Sequence, residues 1–308
     1  MKLLVTGGFG FIGTNLLPVL AARGHALRVL DDLSAAVPGA PRPEGVELVV
    51  GSIADRELVA SAMAGCDGVV HLAAQTNVIL SQQRPMDDCA INVVGTLTLL
   101  EAARQADARR FVFASSNAPV GDVEPPVDET RAPRPLSPYG ASKLAGEGYC
   151  SAFFGSYGLE TVALRFANVY GPWSGLKTSV VARFIRDVTA DGAITIYGDG
   201  GQTRDFIHVA DLVEAIALAL ETSRAAGGLF QVGTGRETSV RRLAELVFEG
   251  LGGLGRAAEI REQPERAGEV RRSVTAIGRA RDVLGWQPAI DVSEGVPETC
   301  RWFLERRT

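Results

Sequence analysis

The sequence predicts an α/β fold: a doubly wound parallel sheet with a second, smaller α/β domain behind it. Two observations carry this. Short apolar runs alternate with helical patterns through the first half of the chain, the order that lays parallel strands side by side under crossover helices on both faces. The first run, Leu3-Leu4-Val5, also stops at glycines spaced three apart, Gly7, Gly10 and Gly13, with an apolar helical pattern directly behind. Glycine at such places permits a tight turn, close approach of backbone to a pyrophosphate, and close helix–strand packing, and the N–H groups opening the helix face an anion.

Strands are expected at Leu3–Thr6, Leu27–Leu30, Val46–Val50, Gly68–Leu72, Phe111–Ala114 and Thr161–Arg165, with helices at 11–23, 55–64, 88–106 and 138–157. Binding sites of such sheets lie beyond the carboxyl ends of the strands. Gly7 follows the first strand, Asp31 the second, Ala73 the fourth and Ser116 the fifth. Residues 1–168 therefore read as a dinucleotide-binding domain and 169–308 mainly as a substrate domain, with 206–234 folding back onto the first. Within the second part, helices are expected near 179–190, 208–221, 239–250, 276–284 and 292–306. Strands are expected at Ala193–Tyr197 and Phe230–Val232.

The 308 residues are 46% hydrophobic, enough for a substantial core, and the net charge of −5 argues against general nucleic-acid affinity. No apolar run approaches the roughly 20 residues of a membrane helix, and the N-terminal run is too short for a signal peptide. Cys66, Cys89, Cys150 and Cys300 form no Cys-x-x-Cys pair, which suits thiols in a reducing, cytoplasmic compartment. His25, His71 and His208 lack metal-ligand spacing and read as local hydrogen-bonding residues; no metal is expected.

Asp31 and Asp32 follow the second strand about twenty residues past the glycines. A carboxylate there accepts from both ribose hydroxyls of an adenosine and repels a 2′-phosphate, so NAD is favoured over NADP, with Asp31 nearest the strand end. Tyr139-Gly140-Ala141-Ser142-Lys143 puts a tyrosine and a lysine one helical turn apart. An ammonium so placed is expected to lower the phenol's pKa, so that a tyrosinate acts as base. Ser115-Ser116, at the end of the fifth strand, offers a hydroxyl to a substrate oxygen.

With these residues in this order, the chain resembles the extended short-chain dehydrogenase/reductase family, in its nucleotide-sugar epimerase/dehydratase branch. The resemblance runs through Val5–Gly13, His71–Ala74, Asn92–Leu100, Phe111–Ser116, Pro138–Lys143, Arg165–Pro172, Thr195–Asp211 and Arg266–Glu269. It implies a Rossmann-type NAD domain and a catalytic triad of Ser116, Tyr139 and Lys143. Phe11, Ile12, Ser52, Ile53, Leu72, Ala73, Ala74, Asn92, Ser115 and Phe166 would line the cofactor beside the glycines and Asp31–Asp32. Val78, Asn117 and Asn168 would approach the sugar diphosphate, Arg204 and Arg266 would clamp it, and Glu269 would hold the nucleoside ribose. Thr195, Ile196 and Tyr197 would pass the base. Thr178, Ser179, Val180, Arg183 and Ser273 would border the sugar: Arg183 matches a position where uronate epimerases carry an arginine, and Ser273 one whose size gates the C2 substituent. A homodimer through the helices at 88–106 and 138–157 is implied as well.

Two departures stand out. Pro119-Val120-Gly121 replaces the family's usual Val-Tyr-Gly, and Gly51-Ser52-Ile53 its Gly-Asp-Ile. Family dehydratases carry Asp-Glu after the strand-end hydroxyl residue, and decarboxylases a glutamate there; Asn117 and Ala118 stand in those places. Neither is an acid or base at neutral pH. A UDP-sugar 4-epimerase is therefore favoured, with the glucose/galactose, glucuronate/galacturonate and N-acetylhexosamine pairs all open. A dehydratase, decarboxylase or reductase is the alternative within the family, and a non-catalytic NAD-binding regulator the alternative outside it.

Overall fold

A computed structural model of the chain describes residues 1–177, 179–252, 259–265 and 270–306. The first half runs β1 (Lys2–Thr6), α1 (Phe11–Ala22), β2 (Ala26–Asp31), β3 (Glu47–Val50), α2 (Arg56–Met63), β4 (Gly68–His71), α3 (Val78–Gln83), α4 (Pro85–Cys89), α5 (Gly95–Gln105), β5 (Arg110–Ser116), α6 (Pro138–Tyr157) and β6 (Glu160–Phe166). The second runs β7 (Asn168–Tyr170), α7 (Val180–Asp191), β8 (Ala193–Tyr197), β9 (Thr203–Arg204), β10 (Phe206–His208), α8 (Val209–Glu221), β11 (Gly228–Val232), β12 (Thr238–Ser239), α9 (Val240–Gly250), β13 (Glu259–Gln263), β14 (Arg272–Ser273) and α10 (Val292–Glu305).

Among the described residues, the central sheet has seven strands in the order β11-β6-β5-β4-β1-β2-β3. Every neighbouring pair is parallel. Leu3, Leu4 and Val5 are fully buried because both faces of β1 are covered, and this is why the strand is apolar without alternation. One face packs against α1 and α8 through Leu16, Leu20, Leu212 and Ile216. The other packs against α2, α5 and α6 through Val59, Leu99, Leu100 and Phe153. The strand order reverses between β1 and β4, so a crevice opens beyond their carboxyl ends. β11 adds to β6 in register Gly228 to Val162, so this late segment belongs to the central sheet. A third core lies under α7, α9 and α10, around Tyr170, Phe184, Ile194 and Leu243.

Local chemistry starts and stops the helices that matter here. Asp55 caps α2 by accepting from Glu57 N and Leu58 N. Ser137 caps α6 by accepting from Gly140 N, Pro138 stands at its first turn, and Gly158 ends it at φ 72°. The helix expected over 88–106 differs. The helical path begins at Pro85, passes through a π-helical turn at Ala90–Val94 and continues as α5, and an additional short helix, α3, precedes it. At this widened turn Asn92 accepts from Gln75 N and donates to Gln75 O, on the irregular segment after β4, a tertiary contact that apolar spacing does not announce. The expected helix at 276–284 is shorter, with a π-helical turn at Ala280–Leu284 ended by Gly285 at φ 69°.

Candidate active site

The crevice is a cavity of 720 Å³ that runs from the glycine turn to β8 and β9. Its floor at one end is the turn between β1 and α1. Gly7 N donates to Leu30 O at 2.9 Å, and Gly7 has φ 66°. A Cβ on Gly7 would lie 2.7 Å from Ala73 N, and one on Gly13 2.4 Å from Gly8 O. A Cβ on Gly10 would meet only Gly7 O, at 3.4 Å, so this glycine keeps cavity space free and packs against little. No side chain caps α1, so the N–H groups of Phe11, Ile12 and Gly13 are free to serve an anion in the cavity they line.

Asp31 and Asp32 line the same end. Asp31 is buried, and its two oxygens accept from Phe9 N (2.9 Å) and Leu33 N (2.8 Å), which ties the second strand end to the glycine turn and leaves further lone pairs. Asp32 Oδ1 is taken by Ser34 N and Ser34 Oγ. Ser52 Oγ accepts from Ala54 N at 3.2 Å. Ser52, Ile53, Leu72, Ala73, Ala74, Ser115 and Phe166 all line the cavity. His71 lies beneath, bridging Thr6 Oγ1 (2.8 Å) and Thr96 Oγ1 (2.9 Å); burial drives its pKa well down, so it is a neutral tether between β1 and α5.

Ser116 ends β5, and Tyr139 and Lys143 open α6 one turn apart; all three line the cavity. The hydroxyls of Ser116 and Tyr139 share a hydrogen bond. Lys143 Nζ donates to Ala114 O at 2.9 Å and stands 4.9 Å from the centre of the Phe113 ring. The phenol differs from expectation. Burial pushes it up to about 12, the Ser116 hydrogen bond pulls it down, and the charge of Asp88 adds to the rise. Lys143 points instead at the Ala114 carbonyl. Its own pKa falls to about 8, first by burial, with Asp88 raising it and Lys177 lowering it further. Below the lysine, Glu147 accepts from Arg165 Nε (2.8 Å), Arg165 Nη2 (2.7 Å) and Ser115 Oγ (2.5 Å), a buried pair that braces β5, β6 and α6 together.

At the far end Asn168, Ser179, Val180, Arg183, Ile196, Tyr197 and Arg204 line the cavity. Asn168 Nδ2 donates to Asp205 O at 3.1 Å, and Arg204 Nη1 to Thr203 O at 2.8 Å. Arg183 Nε is buried without a hydrogen bond, 4.0 Å from Asp187 Oδ2. Five expected residues do not line the cavity: Val78, Asn92, Asn117, Thr195 and Ser273. Val78 opens α3 and is 42% exposed. Asn92 is spent on Gln75 O, Gln75 N, Asp88 and Ser142. Asn117 N donates to Phe166 O at 3.2 Å. Thr195 pairs with Arg261 along β8, and Ser273 stands in register with Arg204. Thr178, Arg266 and Glu269 lie outside the described residues. Lys177, Gln75, Thr76 and Trp173 line the cavity without having been singled out from sequence. The signal for Lys177 was there: one cation in the turn between Trp173 and α7. Among the described residues no group of three His, Cys, Asp or Glu could hold a metal.

Known proteins share this fold. The family model described as the NAD dependent epimerase/dehydratase family matches residues 3–233. A UDP-glucose 4-epimerase of Mycolicibacterium smegmatis is 40% identical over 99% of both chains. A dTDP-glucose 4,6-dehydratase of Streptomyces niveus is 32% identical over 100% of this chain and 94% of its own. The structure of a UDP-glucose 4-epimerase with UDP-glucose from Thermotoga maritima superposes with a TM-score of 0.93, at 34% identity over all of both chains. The chain belongs to the NAD dependent epimerase/dehydratase family.

Proposed function

We propose that this protein is an NAD-dependent UDP-sugar 4-epimerase. One observation carries the reading. Ser116, Tyr139 and Lys143 meet in a cavity continuous with an uncapped glycine turn, and Asn117 and Ala118 stand where elimination would need an acid. The glycine turn fits NAD: the open face of Gly10 and the free N–H groups of α1 suit its diphosphate, and Asp31 its adenosine ribose. Bound NAD supplies the hydride acceptor and donor, and a positive charge that draws down a nearby phenol.

The chain's own residues do the rest. Ser116, beside Tyr139, hydrogen-bonds the O4 hydroxyl, and Tyr139 carries the O4 proton away and returns it. Lys143, fixed on the Ala114 carbonyl, lines the same cavity and suits the ribose of the bound nicotinamide. A C4 ketone forms, turns and is reduced on its other face. Arg204 suits the sugar diphosphate, and the stretch Ile196–Tyr197 the base. In this reading residues 1–168 with 206–234 hold the cofactor and the remainder of 169–308 the sugar nucleotide. α5 and α6 meet a second copy, and the free thiols suit the cytoplasm.

The test is incubation of purified protein with UDP-glucose, UDP-glucuronate and UDP-N-acetylglucosamine without added NAD. C4 epimers are expected, with turnover reduced about 10²–10⁴-fold in Tyr139→Phe. Accumulation of a 4-keto-6-deoxy sugar would establish a dehydratase instead. Full turnover by Tyr139→Phe sinks the mechanism.

A further inference from the structure

Among the described residues the carboxylates lining the cavity are Asp31, which ends β2, and Asp32 beside it, and the lining cations are Lys143, Lys177, Arg183 and Arg204. A sugar diphosphate explains cations near β8 and β9, where Arg204 stands. Lys177 is elsewhere. Its Nζ lies 3.2 Å from Thr76 Oγ1, on the segment that follows β4, and its charge reaches Lys143. It thus projects toward the triad, where a sugar ring would react. The backbone beneath it is held, because Arg186 Nη1 donates to Gly175 O (2.7 Å) and to Lys177 O (2.9 Å).

We propose, building on the nucleotide-sugar reading above, that Lys177 pairs with a carboxylate on the sugar ring, making the preferred substrate a nucleotide-linked uronate. Among the described residues Thr76 is its one hydrogen-bonding side chain, and no carboxylate forms an ion pair with it. Two ammonium groups sharing one low-dielectric cavity repel, and burial presses the proton off both. A sugar carboxylate offsets both costs; a neutral hexose offsets neither. Arg183 is the weaker candidate for this role, since Asp187 already stands 4.0 Å from its Nε.

The experiment is calorimetric titration of the holoenzyme with UDP-glucuronate and with UDP-glucose, for the parent, Lys177→Met and Lys177→Arg. The parent is expected to bind the uronate at least tenfold more tightly than the hexose. That ratio falls at least tenfold in Lys177→Met and is largely kept in Lys177→Arg, whose retained charge separates loss of charge from loss of fold. Equal affinity of the parent for the two sugars, or equal weakening of both in Lys177→Met, overturns the proposal. Because the readout is a ratio of dissociation constants, it stands apart from turnover. If both sugars bind and neither is epimerised, the reaction reading fails while the role of Lys177 is still decided.

Discussion

Gly13→Ala and Gly10→Ala should separate two jobs that one glycine pattern conceals. A Cβ on Gly13 would lie 2.4 Å from Gly8 O and 2.5 Å from both its carbonyl carbon and its Cα. These are backbone atoms of the turn, so no side-chain rotation relieves the clash. Reaching ordinary contact needs α1 to move by about 1 Å away from the turn, an overpacking that costs up to about 3 kcal/mol. The better helix propensity of alanine returns about 1 kcal/mol, leaving a net loss of about 2 kcal/mol. With an unfolding entropy of about 2.1 cal/mol/K per residue, Tm falls by about 3 °C. A Cβ on Gly10 meets one atom, Gly7 O, at 3.4 Å, so Gly10→Ala should fold with a stability within about 0.5 kcal/mol of the parent. Its methyl occupies cavity space beside the free N–H groups, and NAD affinity should drop at least about tenfold, or 1.4 kcal/mol. Thermal unfolding of cofactor-stripped protein, with and without NAD, reads both effects. Gly13→Ala lowers the Tm of stripped protein; Gly10→Ala keeps it and loses the upward shift that bound NAD produces. A stripped Gly13→Ala that melts with the parent would refute the packing argument. A Gly10→Ala with the parent's NAD shift would refute the assignment of the open face.

Three further outcomes follow from the buried charges and the exposed helices. Glu147→Ala leaves the Arg165 guanidinium, 2% exposed, without its bidentate partner; urea unfolding should show a loss of about 3–5 kcal/mol, much of it restored in Glu147→Ala/Arg165→Met. Lys143, lowered by burial to about 8 from an ordinary 10.5, loses its charge above about 8, so kcat should fall through that pH. Asp88 raises its pKa, and Asp88→Asn should move that limb to lower pH. The sign for stability is opposite: between about 8 and 10.5 the unfolded chain holds the lysine proton that the folded chain has released, so this lysine's contribution to stability rises with pH across that window. Its disappearance in Lys143→Met is the check, by unfolding at a series of pH values. Finally, Met86 (78% exposed), Val94 (49%) and Tyr149 (36%) leave an apolar face on α4 through α6. Light scattering after size exclusion should give a homodimer that Val94→Glu converts to monomer.

Much of the site was legible because its residues sit at strand ends and helix starts, where local patterns are sharp. Gly7 and Ala73 follow β1 and β4, Asp31 and Ser116 end β2 and β5, and parallel strands bring their carboxyl ends to one edge whatever lies between. Tyr139 and Lys143 are joined by a single helical turn. Asn92 was harder: its position was readable, but Asp88 and Gln75 claim its side chain, and Gln75 reaches it only through the tertiary fold. Lys177 was passed over because a lone lysine in a turn is ordinarily solvated. Only the approach of Thr76, 101 residues earlier, gives it a place in the cavity.

By itself, the amino-acid sequence determined the doubly wound parallel sheet, the glycine turn, the carboxylate after β2 and the tyrosine–lysine pair. The glycine turn and the tyrosine–lysine pair rest on spacing within a few residues, which the covalent chain enforces directly, and the sheet and the carboxylate on the order of strand and helix patterns along the chain. Tertiary structure alone decided the electrostatics: a phenol at about 12, a lysine at about 8, and Lys177 brought within reach of Lys143. Those quantities depend on burial and on charges from distant segments, and Coulomb energy follows distance in space rather than along the chain.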